Sequence, residues 1–373
     1  MPVSVIPSPN SFGVSCRVRL VAVLLTIVAQ GAAKEVRYSI VDLGALTAGK
    51  RINAAGDVVG ATKQPVGNDY HAFLYAKGEM RDLGTLGGRT STASGINDAG
   101  QVVGLSHVDD KDAPHQPALH GFLYADGVMH DLGVMSGITT TGLGTADDIN
   151  AAGVILGKTQ NREKVCLFVN GKVQLLELPD RSTAQGRVYS TAVRLGANGQ
   201  VIGIISSFKP MKSSGVTYSA AEDPRRGFLY VDGKITELGE WVSPADINAT
   251  GQIVGSRLTT EKRTHAFRYD QGKVVDLGVP AGFEDSNAQG INATGQIVGA
   301  GSNGLGATGS SRAFLFSDGK WADLNGLVDF GTSGITELFE ARAINDRGQI
   351  VVQGMGPGGY RACVLTPVGE TAR

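Results

Sequence analysis

Short apolar runs separated by Gly, Asn and Asp recur along the chain from about residue 38, and two motifs account for most of them. The first motif is Ile-Asn-x-x-Gly followed by an apolar triplet, as in INAAGDVVG, residues 52–60. Further copies begin at residues 96, 149, 247 and 291, with weaker ones at 195 and 344. Asn at the start of a turn can bond the backbone, and Gly at its end accepts a positive φ. The motif therefore predicts a β-hairpin.

The second motif lies between copies of the first and reads HAFLYAKGEMRDLG at residues 71–84. Related copies begin at 120, 166, 226, 265 and 312, and a shortened copy covers 361–367. Alternating apolar residues flank dipeptides such as Asp126-Gly127 and Asn170-Gly171, which favour two-residue hairpin turns. Each repeat is thus expected to supply four antiparallel strands, which we call a to d.

The ends of the repeat array point to a closed ring. Four strands in a repeat of roughly 40 to 50 residues are typical of a β-propeller blade. The seventh repeat stops after strand c, at residues 360–367, whereas an unmatched strand d, 38–44, precedes the first repeat. We expect an all-β, seven-bladed β-propeller with four antiparallel strands per blade, closed by strand 38–44, because pairing hides both edges. A β-solenoid is the alternative, although it does not need an unmatched strand at the opposite end.

The alternation of strand direction divides the ring into two faces. The a–b and c–d turns share one face, here the turn face, and the b–c and d–a connections share the other, the loop face. All length variation falls on the loop face, where we expect ligand binding. The turns are expected to be structural, and the Asn and Gly residues that recur in them are Asn53, Gly56, Asn97, Gly100, Asn150, Gly153, Asn248, Gly251, Asn292, Gly295, Asn345 and Gly348.

Composition and the termini narrow the function classes. The 373 residues include 53 Gly, 42% are hydrophobic and the net charge is −1, which argues against disorder and against nucleic-acid binding. Arg17 and Arg19, the apolar run 20–29 and the small residues 31–33 form a secretory signal pattern. We predict a signal peptide at 1–33, one propeller domain at 34–367 and a tail at 368–373. The mature chain is expected to be secreted or periplasmic, monomeric and without a transmembrane anchor.

The repeats resemble the HAF-repeat family of bacterial extracellular proteins over about residues 38 to 367. The tripeptide is intact at His71-Ala72-Phe73 and His265-Ala266-Phe267, and the segments SGIND (94–98) and DLGTLGG (82–88) also match. Repeats three, four and seven depart, with Cys166, Arg226 and Arg361 assigned to the His position. The resemblance implies secretion and repeat architecture but no activity.

Candidate chemistry is sought where the repeats differ, since the equivalent His71, His120 and His265 are better explained as structural. A ligand site on the loop face would draw on aromatic and charged side chains, namely Tyr218, Arg225, Arg226, Trp241, Phe283 and Asp285. The longest loop is expected at about residues 204 to 226. A weaker candidate is a divalent-cation site formed by His107, Asp109, Asp110, Asp112 and His115, although the segment lacks the spacing of an EF-hand loop and a solvated polar loop explains it better. No other cofactor is expected.

Two functions remain open from the sequence. The first is an exported binding module for a protein or glycan partner, and the alternative is a propeller-type glycan hydrolase or lyase with acidic and aromatic residues on the same face. No nucleophile, phosphate-loop or zinc-protease motif occurs. Cys166 and Cys363 fall on strand c of blades that lie nearly across the ring, so both are expected to be buried thiols.

Overall fold

The computed structural model describes residues 36–45, 47–109, 119–133, 143–159, 164–179, 181–183, 186–213, 216–220, 225–304 and 311–368. Residues 143, 181–183, 186–187, 208–213 and 216–220 are described by their backbone alone. The predicted signal peptide and the chain after 368 lie outside these ranges. The described chain forms seven antiparallel sheets arranged as the blades of a β-propeller, which confirms the predicted fold.

The strands follow one another in order within each blade. Strand β1 (Arg37–Ala45) belongs to the last blade. Blade 1 contains β2 (Thr47–Ile52), β3 (Val58–Lys63), β4 (Tyr70–Ala76) and β5 (Glu79–Asp82). Blade 2 contains β6 (Gly87–Ile96), β7 (Val102–Val108), β8 (Leu119–Ala125) and β9 (Val128–Asp131). Blade 3 contains β10 (Leu143–Ile149), β11 (Ile155–Thr159), β12 (Val165–Val169) and β13 (Lys172–Leu175).

The remaining blades continue this order. Blade 4 contains β14 (Arg181–Thr183), β15 (Gly186–Leu195), β16 (Val201–Ser213), β17 (Val216–Ala220), β18 (Arg226–Val231) and β19 (Lys234–Glu240). Blade 5 contains β20 (Val242–Ile247), β21 (Ile253–Leu258), β22 (Thr264–Asp270) and β23 (Lys273–Asp276). Blade 6 contains β24 (Asp285–Ile291), β25 (Ile297–Ser302), β26 (Arg312–Ser317) and β27 (Lys320–Asp323), followed by the short helix α1 (Leu324–Leu327). Blade 7 contains β28 (Glu337–Ile344), β29 (Ile350–Gly356) and β30 (Gly359–Val368).

The two ends of the described chain meet in blade 7. β1 pairs with β30 from Arg37 opposite Val368 to Asp42 opposite Cys363, so the strand expected at 38–44 completes the last blade. Asp42 of β1 accepts a hydrogen bond of 2.7 Å from Nε of Arg361, and this bond ties β1 to β30. In the described part of the chain, no helix has the length and apolar character needed to cross a bilayer.

Blade 4 differs from the prediction. The segment 204–226, expected as a loop, continues strand β16 to Ser213 and returns as β17, which pairs with it. β14 adds a further short strand beside β15. Residues 209–213 and 216–220 pair with each other, so their backbone N–H and C=O groups are satisfied within the protein. They form a β-ribbon that extends the four blade strands β15, β16, β18 and β19.

Turn geometry explains the recurrent glycines. Gly127 follows Asp126 in the c–d turn of blade 2, and their φ values are 82° and 52°, as a two-residue hairpin turn requires. Lys77 adopts a φ of 53° at the equivalent position in blade 1, so the turn tolerates a residue other than Asn or Asp there. The Gly of the a–b turns also has positive φ in all seven blades, for example 77° at Gly100.

The second Gly of the first motif has a different cause. It lies on strand b, where the backbone of strand a approaches closely, and a Cβ on Gly104 would lie 2.0 Å from the Thr92 carbonyl oxygen. Blade 7 has Val352 at this place, opposite Cys363 rather than a Phe.

The apolar triplet of strand b fills the spaces between blades. Val58 packs against blade 7 and its neighbour Val59 packs against blade 2, and both are fully buried. A strand buried on both faces carries a continuous apolar run rather than alternation. Seven such clusters, one between each pair of adjacent blades, form the described core.

The register of blade 3 corrects the placement of Cys166. Cys166 lies opposite Gly157, just as Phe73 lies opposite Gly60, so it occupies the Phe position of the repeat and not the His position. Cys363 also occupies the Phe position. Both thiols are free and fully buried, as expected, and burial raises the pKa of each to about 12.

Candidate functional site

The turn face is closed around the axis by a chain of side-chain hydrogen bonds. The Nδ2 of the motif Asn in one blade donates to the backbone carbonyl of the corresponding turn in the next blade. The donors and acceptors are Asn53 to Asn97 (3.2 Å), Asn97 to Asn150 (3.2 Å), Asn150 to Ala197 (3.4 Å), Asn248 to Asn292 (3.0 Å), Asn292 to Asn345 (3.3 Å) and Asn345 to Asn53 (3.0 Å). Blade 4 has Gly196 at this position, so the link from blade 4 to blade 5 is missing.

These turns surround a shallow axial cavity of about 240 Å³. Its lining includes Ile52, Asn97, Asn150 and Asn345, which belong to four different blades. Residues of separate blades can meet in this way only on the axis, so strand a is the innermost strand of each blade. The residues of strand a that precede the a–b turn therefore line the central channel next to this cavity.

A β-bulge precedes the turn in every blade. In blade 1, Gly49 pairs with Gly60 and Arg51 with Val59, so Lys50 is an extra residue with no partner on strand b. The same register shift occurs at the equivalent residue of the other six blades. A bulge can redirect a side chain. The bulged residue and its successor differ between repeats: Lys50-Arg51, Ser94-Gly95, Asp147-Asp148, Val193-Arg194, Ala245-Asp246, Gln289-Gly290 and Arg342-Ala343.

Blades 3, 4 and 5 are joined through Arg194. Its Nη1 lies 3.1 Å from Asp148 Oδ1, and its Nε lies 2.8 Å from Asp246 Oδ1. The second oxygen of each carboxylate accepts a backbone N–H from the next blade, that of Leu195 or Ile291. Burial lowers the pKa of Arg194, but the two carboxylates outweigh it and hold that pKa above its ordinary value. Arg194 thus supplies the contact to blade 5 that the chain of Asn side chains lacks.

Lys50, Arg51 and Arg342 lie on or beside the bulges of blades 1 and 7, within electrostatic range of one another, and we call them the cationic cluster. Burial lowers the pKa of Lys50, and the neighbouring charges of Arg51 and Arg342 lower it further. Arg342 has a carboxylate partner, Glu340, at 2.8 Å, and Lys50 donates to Thr92 Oγ1 at 3.2 Å.

Arg51 is the least satisfied member of the cationic cluster. Its Nη1 donates to the Lys50 carbonyl at 2.9 Å, but its buried Nε has no hydrogen-bond partner. Burial, followed by repulsion from Arg194, lowers the pKa of Arg51 to about 10. Asp147, whose charge acts to raise the pKa of Lys50, has its own pKa raised by burial. Asp148 and Asp246 act to raise the pKa of Arg51, but burial and the neighbouring cations outweigh them, so Arg51 is the least stabilised charge of the cationic cluster.

The loop-face candidates are separated, and several have structural partners. Trp241 is 41% exposed and occupies a tight connection between blades 4 and 5 with a φ of 58°. Phe283 packs edge-on against Phe314 at 5.4 Å, and Asp285 accepts the backbone N–H of Thr264 at 2.7 Å.

The blade 4 candidates do not join them. Arg226 forms a salt bridge of 3.1 Å with Glu237 on the adjacent strand, and Arg225 is exposed. Tyr218 is part of β17, but its side chain lies outside the described structure. The described residues therefore do not unite the six candidates into one pocket.

The cation candidate is only partly described. Nδ1 of His107 lies 2.6 Å from Thr90 Oγ1, which gives this ring a protein partner. Asp109 is described, whereas Asp110, Asp112 and His115 lie outside the described ranges. Among the described residues, no group of three or more His, Cys, Asp or Glu side chains is placed to hold a metal.

The recurrent His and Asp of the second motif form pairs within blades. Nδ1 of His71 lies 2.9 Å from Asp82 Oδ2 across strands c and d, and the same pair recurs as His120 with Asp131 and His265 with Asp276. Oδ1 of Asp82 also accepts the N–H of Gly84 at 2.8 Å, which explains the Asp-Leu-Gly sequence. In blades 4, 6 and 7 an Arg replaces the His and keeps the acidic partner.

Sequence reasoning missed the channel residues. The available signal was variation at the two positions before Ile-Asn, where charged residues alternate with Ser, Gly, Ala and Gln between repeats. That signal could not show which way the side chains point. In a regular strand only one of two consecutive residues, such as Lys50 and Arg51, would face the channel, and the sequence does not reveal the bulge that changes this.

Comparison with known proteins supports the fold alone. No protein-family model matches the sequence, and no curated protein does. The β-propeller domain of the Trilobed protease from Pyrococcus furiosus, described as having an open velcro topology, matches with a TM-score of 0.50 and 11% identity, covering 88% of this chain and 99% of that one. An acylaminoacyl peptidase in complex with Z-Gly-Gly-Phe-chloromethyl ketone matches with a TM-score of 0.50 and 12% identity, covering 87% of this chain and 51% of that one. A polysaccharide lyase of family PL25, an ulvan lyase, has a TM-score of 0.46 at 12% identity, covering 88% and 96%.

Proposed function

We propose that this protein is an exported β-propeller binding module and that its central channel receives an anionic group of its ligand. The signal pattern at 1–33 and the resemblance to extracellular HAF repeats support export. The propeller provides a rigid ring in which seven strands point their variable residues at one axis. Rigid presentation favours binding because little conformational entropy is lost when the ligand arrives.

The observation that carries the proposal is the unsatisfied Arg51. Its Nε is buried without a partner, and the cationic cluster places two more positive groups, Lys50 and Arg342, in the same wall. A buried donor without a partner costs about 1–3 kcal/mol. A bound carboxylate, phosphate or sulfate group would accept this donor and reverse the repulsion that now lowers the pKa of Lys50.

The chemistry of the anion follows from the residues. Arg presents a planar set of donors that suits an oxyanion, and Lys adds a point charge beside it. The ligand is therefore an acidic glycan or an acidic protein segment, recognised by one negative group at the axis. The loop-face residues Trp241 and Arg225, both exposed, remain candidates for additional contacts at the other face.

The enzymatic alternative requires a pair of carboxylates that can exchange protons. Hydrolases of glycans use two such groups roughly 5 to 10 Å apart. Asp148 and Asp246 are both bridged by Arg194 and each accepts a backbone N–H, whereas burial raises the pKa of the neighbouring Asp147. The contacts of Asp148 and Asp246 support a structural role for this pair and favour binding over hydrolysis by these two carboxylates.

Thermal unfolding in phosphate tests the proposal directly. A ligand that binds only the folded state raises stability by RT ln(1+[L]/Kd). We expect the Tm of the mature chain to rise with phosphate when chloride compensates for ionic strength. Lys50→Met should weaken phosphate binding by about 10- to 100-fold, which corresponds to the 1.5–3 kcal/mol of a charged hydrogen bond.

A matched variant separates specific binding from a general salt effect. Phosphate also stabilises proteins by exclusion from their surface. Lys172 is exposed in the c–d turn of blade 3, so Lys172→Met removes the same charge away from the channel. The proposal predicts that Lys172→Met keeps the wild-type response. Equal responses of Lys50→Met, Lys172→Met and wild type would contradict it.

A further inference from the structure

One position of strand c changes character in a single blade. The residue after the core Phe, or after the Cys that replaces it, is apolar in six blades, where it contributes to the cluster between that blade and a neighbour. The six residues are Leu74, Leu123, Leu167, Leu229, Leu315 and Val364. In blade 5 the corresponding residue is Arg268, and the pairing of Arg268 with Val254 matches that of Leu74 with Val59.

Arg268 lacks the partners that an inward-facing arginine needs. Its Nε is buried and donates to no protein acceptor. Among the described residues, no hydrogen bond or salt bridge to the Arg268 side chain is found. Replacing a Leu by an unpaired Arg at a blade interface lowers stability unless another group completes it. Arg268 is half-buried, so the part of its guanidinium that faces solvent is available to a ligand.

A cleft of about 650 Å³ lies beside Arg268 on the turn face. It runs between the turns of blade 5 and those of blade 6, and Gln252, Asp270 and Phe316 line it together with Arg268. Sites for small ligands are typically about 300–1,000 Å³, so the cleft can hold one or two sugar rings. This cleft, which we call the blade 5–6 cleft, is distinct from the axial cavity and shares no lining residue with it.

The lining of the blade 5–6 cleft combines donors, acceptors and one aromatic ring. Nε2 of Gln252 donates to Asp270 Oδ2 at 2.9 Å, and Ser317 Oγ donates to Asp318 Oδ2 at 3.1 Å. Phe316 is half-buried and stands at the position where blade 1 has Tyr75. The two carboxylates, Asp270 and Asp318, outnumber the single cation Arg268, so the lining repels a strongly anionic ligand.

We propose that the blade 5–6 cleft binds a neutral saccharide. A sugar hydroxyl donates to a carboxylate such as Asp270 while accepting from the Arg268 guanidinium or an amide. The C–H face of a sugar ring can pack against Phe316. This pattern of paired donors and acceptors beside one ring suits a neutral polyhydroxylated ligand, whereas the cationic cluster of the channel suits an anion. The two sites are independent of each other.

The test uses the mature chain and neutral gluco-, manno-, galacto- and xylo-oligosaccharides as probes. We expect at least one probe to bind and the Arg268→Leu variant to bind it at least tenfold more weakly, because a charged donor is lost. The variant restores the residue found in other blades, so it should fold. Without sugar, it should also melt about 1–2 °C higher than wild type, as expected where a binding residue reduces stability.

The control is Arg81→Leu, the same exchange at an exposed position of strand d in blade 1. It should bind sugar like wild type. Failure of all probes to bind wild type, or equal binding by Arg268→Leu, would overturn the proposal. A lower melting temperature for sugar-free Arg268→Leu would show that the arginine stabilises the blade instead. The phosphate response should be unchanged in Arg268→Leu, so failure here leaves the channel proposal separately testable.

Discussion

Removal of the Arg194 guanidinium should destabilise the propeller more than removal of any surface arginine. Arg194 bridges Asp148 and Asp246, and the three side chains are only 17%, 5% and 10% exposed. Arg194→Met keeps much of the side-chain volume but leaves both carboxylates without their cation. Each would retain one backbone N–H donor, from Leu195 or from Ile291.

The expected loss is about 3–5 kcal/mol, the usual cost of removing one partner from a buried ion pair. The loss reflects two uncompensated charges and the missing contact between blades 4 and 5, which the Gly196 turn does not replace. A suitable control is Arg226→Met. Its partner Glu237 is 49% exposed, so this variant should lose no more than about 1 kcal/mol.

Urea unfolding followed by fluorescence or circular dichroism measures both variants. If the penalty is electrostatic, the triple variant Arg194→Met, Asp148→Asn, Asp246→Asn should recover most of the lost stability, because neutral amide oxygens still accept the two backbone N–H groups. A loss below about 1 kcal/mol for Arg194→Met, or no recovery in the triple variant, would refute this account of the channel.

Three further changes test other parts of the ring. Gly196→Asn places a Cβ 2.6 Å from Gln200 Oε1, so Gln200 has to rotate to the arrangement of Gln101, which accepts from Asn97 Nδ2. The variant should then add the missing donor toward the carbonyl of Asn248 and stabilise the protein by about 1 kcal/mol in urea unfolding; an unchanged midpoint would contradict this. Gly104→Ala would place a Cβ 2.0 Å from the Thr92 carbonyl and should cost about 3 kcal/mol or more, so a melting curve like that of wild type would disprove the close approach. Burial raises the pKa of Tyr38 from 10.0 to about 12, so the folded state keeps a proton that the unfolded chain loses. Stability should therefore fall by up to about 2–3 kcal/mol as pH rises from 10 toward 12, and Tyr38→Phe should lack this part of the fall in pH-dependent unfolding.

Local chemistry was sufficient to predict the blades. Asn97 and Gly100 define a turn by their own hydrogen bonding and φ, and Asp126-Gly127 does so for the other hairpin. The unmatched strand at 38–44 predicted ring closure because a strand edge needs a partner, and β1 pairs with β30 accordingly. These features depend on residues close in sequence or on counting repeats.

The sequence did not predict the longer strand of blade 4 or the correct place of Cys166. The spacing of the two motifs in this repeat predicts a b–c loop at about 204 to 226, but β16 and β17 pair there. Cys166 was aligned by its place at the start of a shortened motif, whereas pairing with Gly157 assigns it to the Phe position. Register is a property of two strands, so a single segment cannot determine it.

The sequence by itself determined the number of blades, the turn residues and the pairing of the two ends, because each follows from local turn chemistry and a regular repeat. Only the tertiary structure decided which variable residues meet. Lys50 and Arg342 are 292 positions apart in the sequence, yet the bulges of two adjacent blades bring their charges within range of each other. Arg268 of blade 5 shares a cleft with Phe316 of blade 6, which lies more than 40 positions further along the chain. Convergence on an axis or across a blade interface depends on the closed ring, and no short segment contains that information.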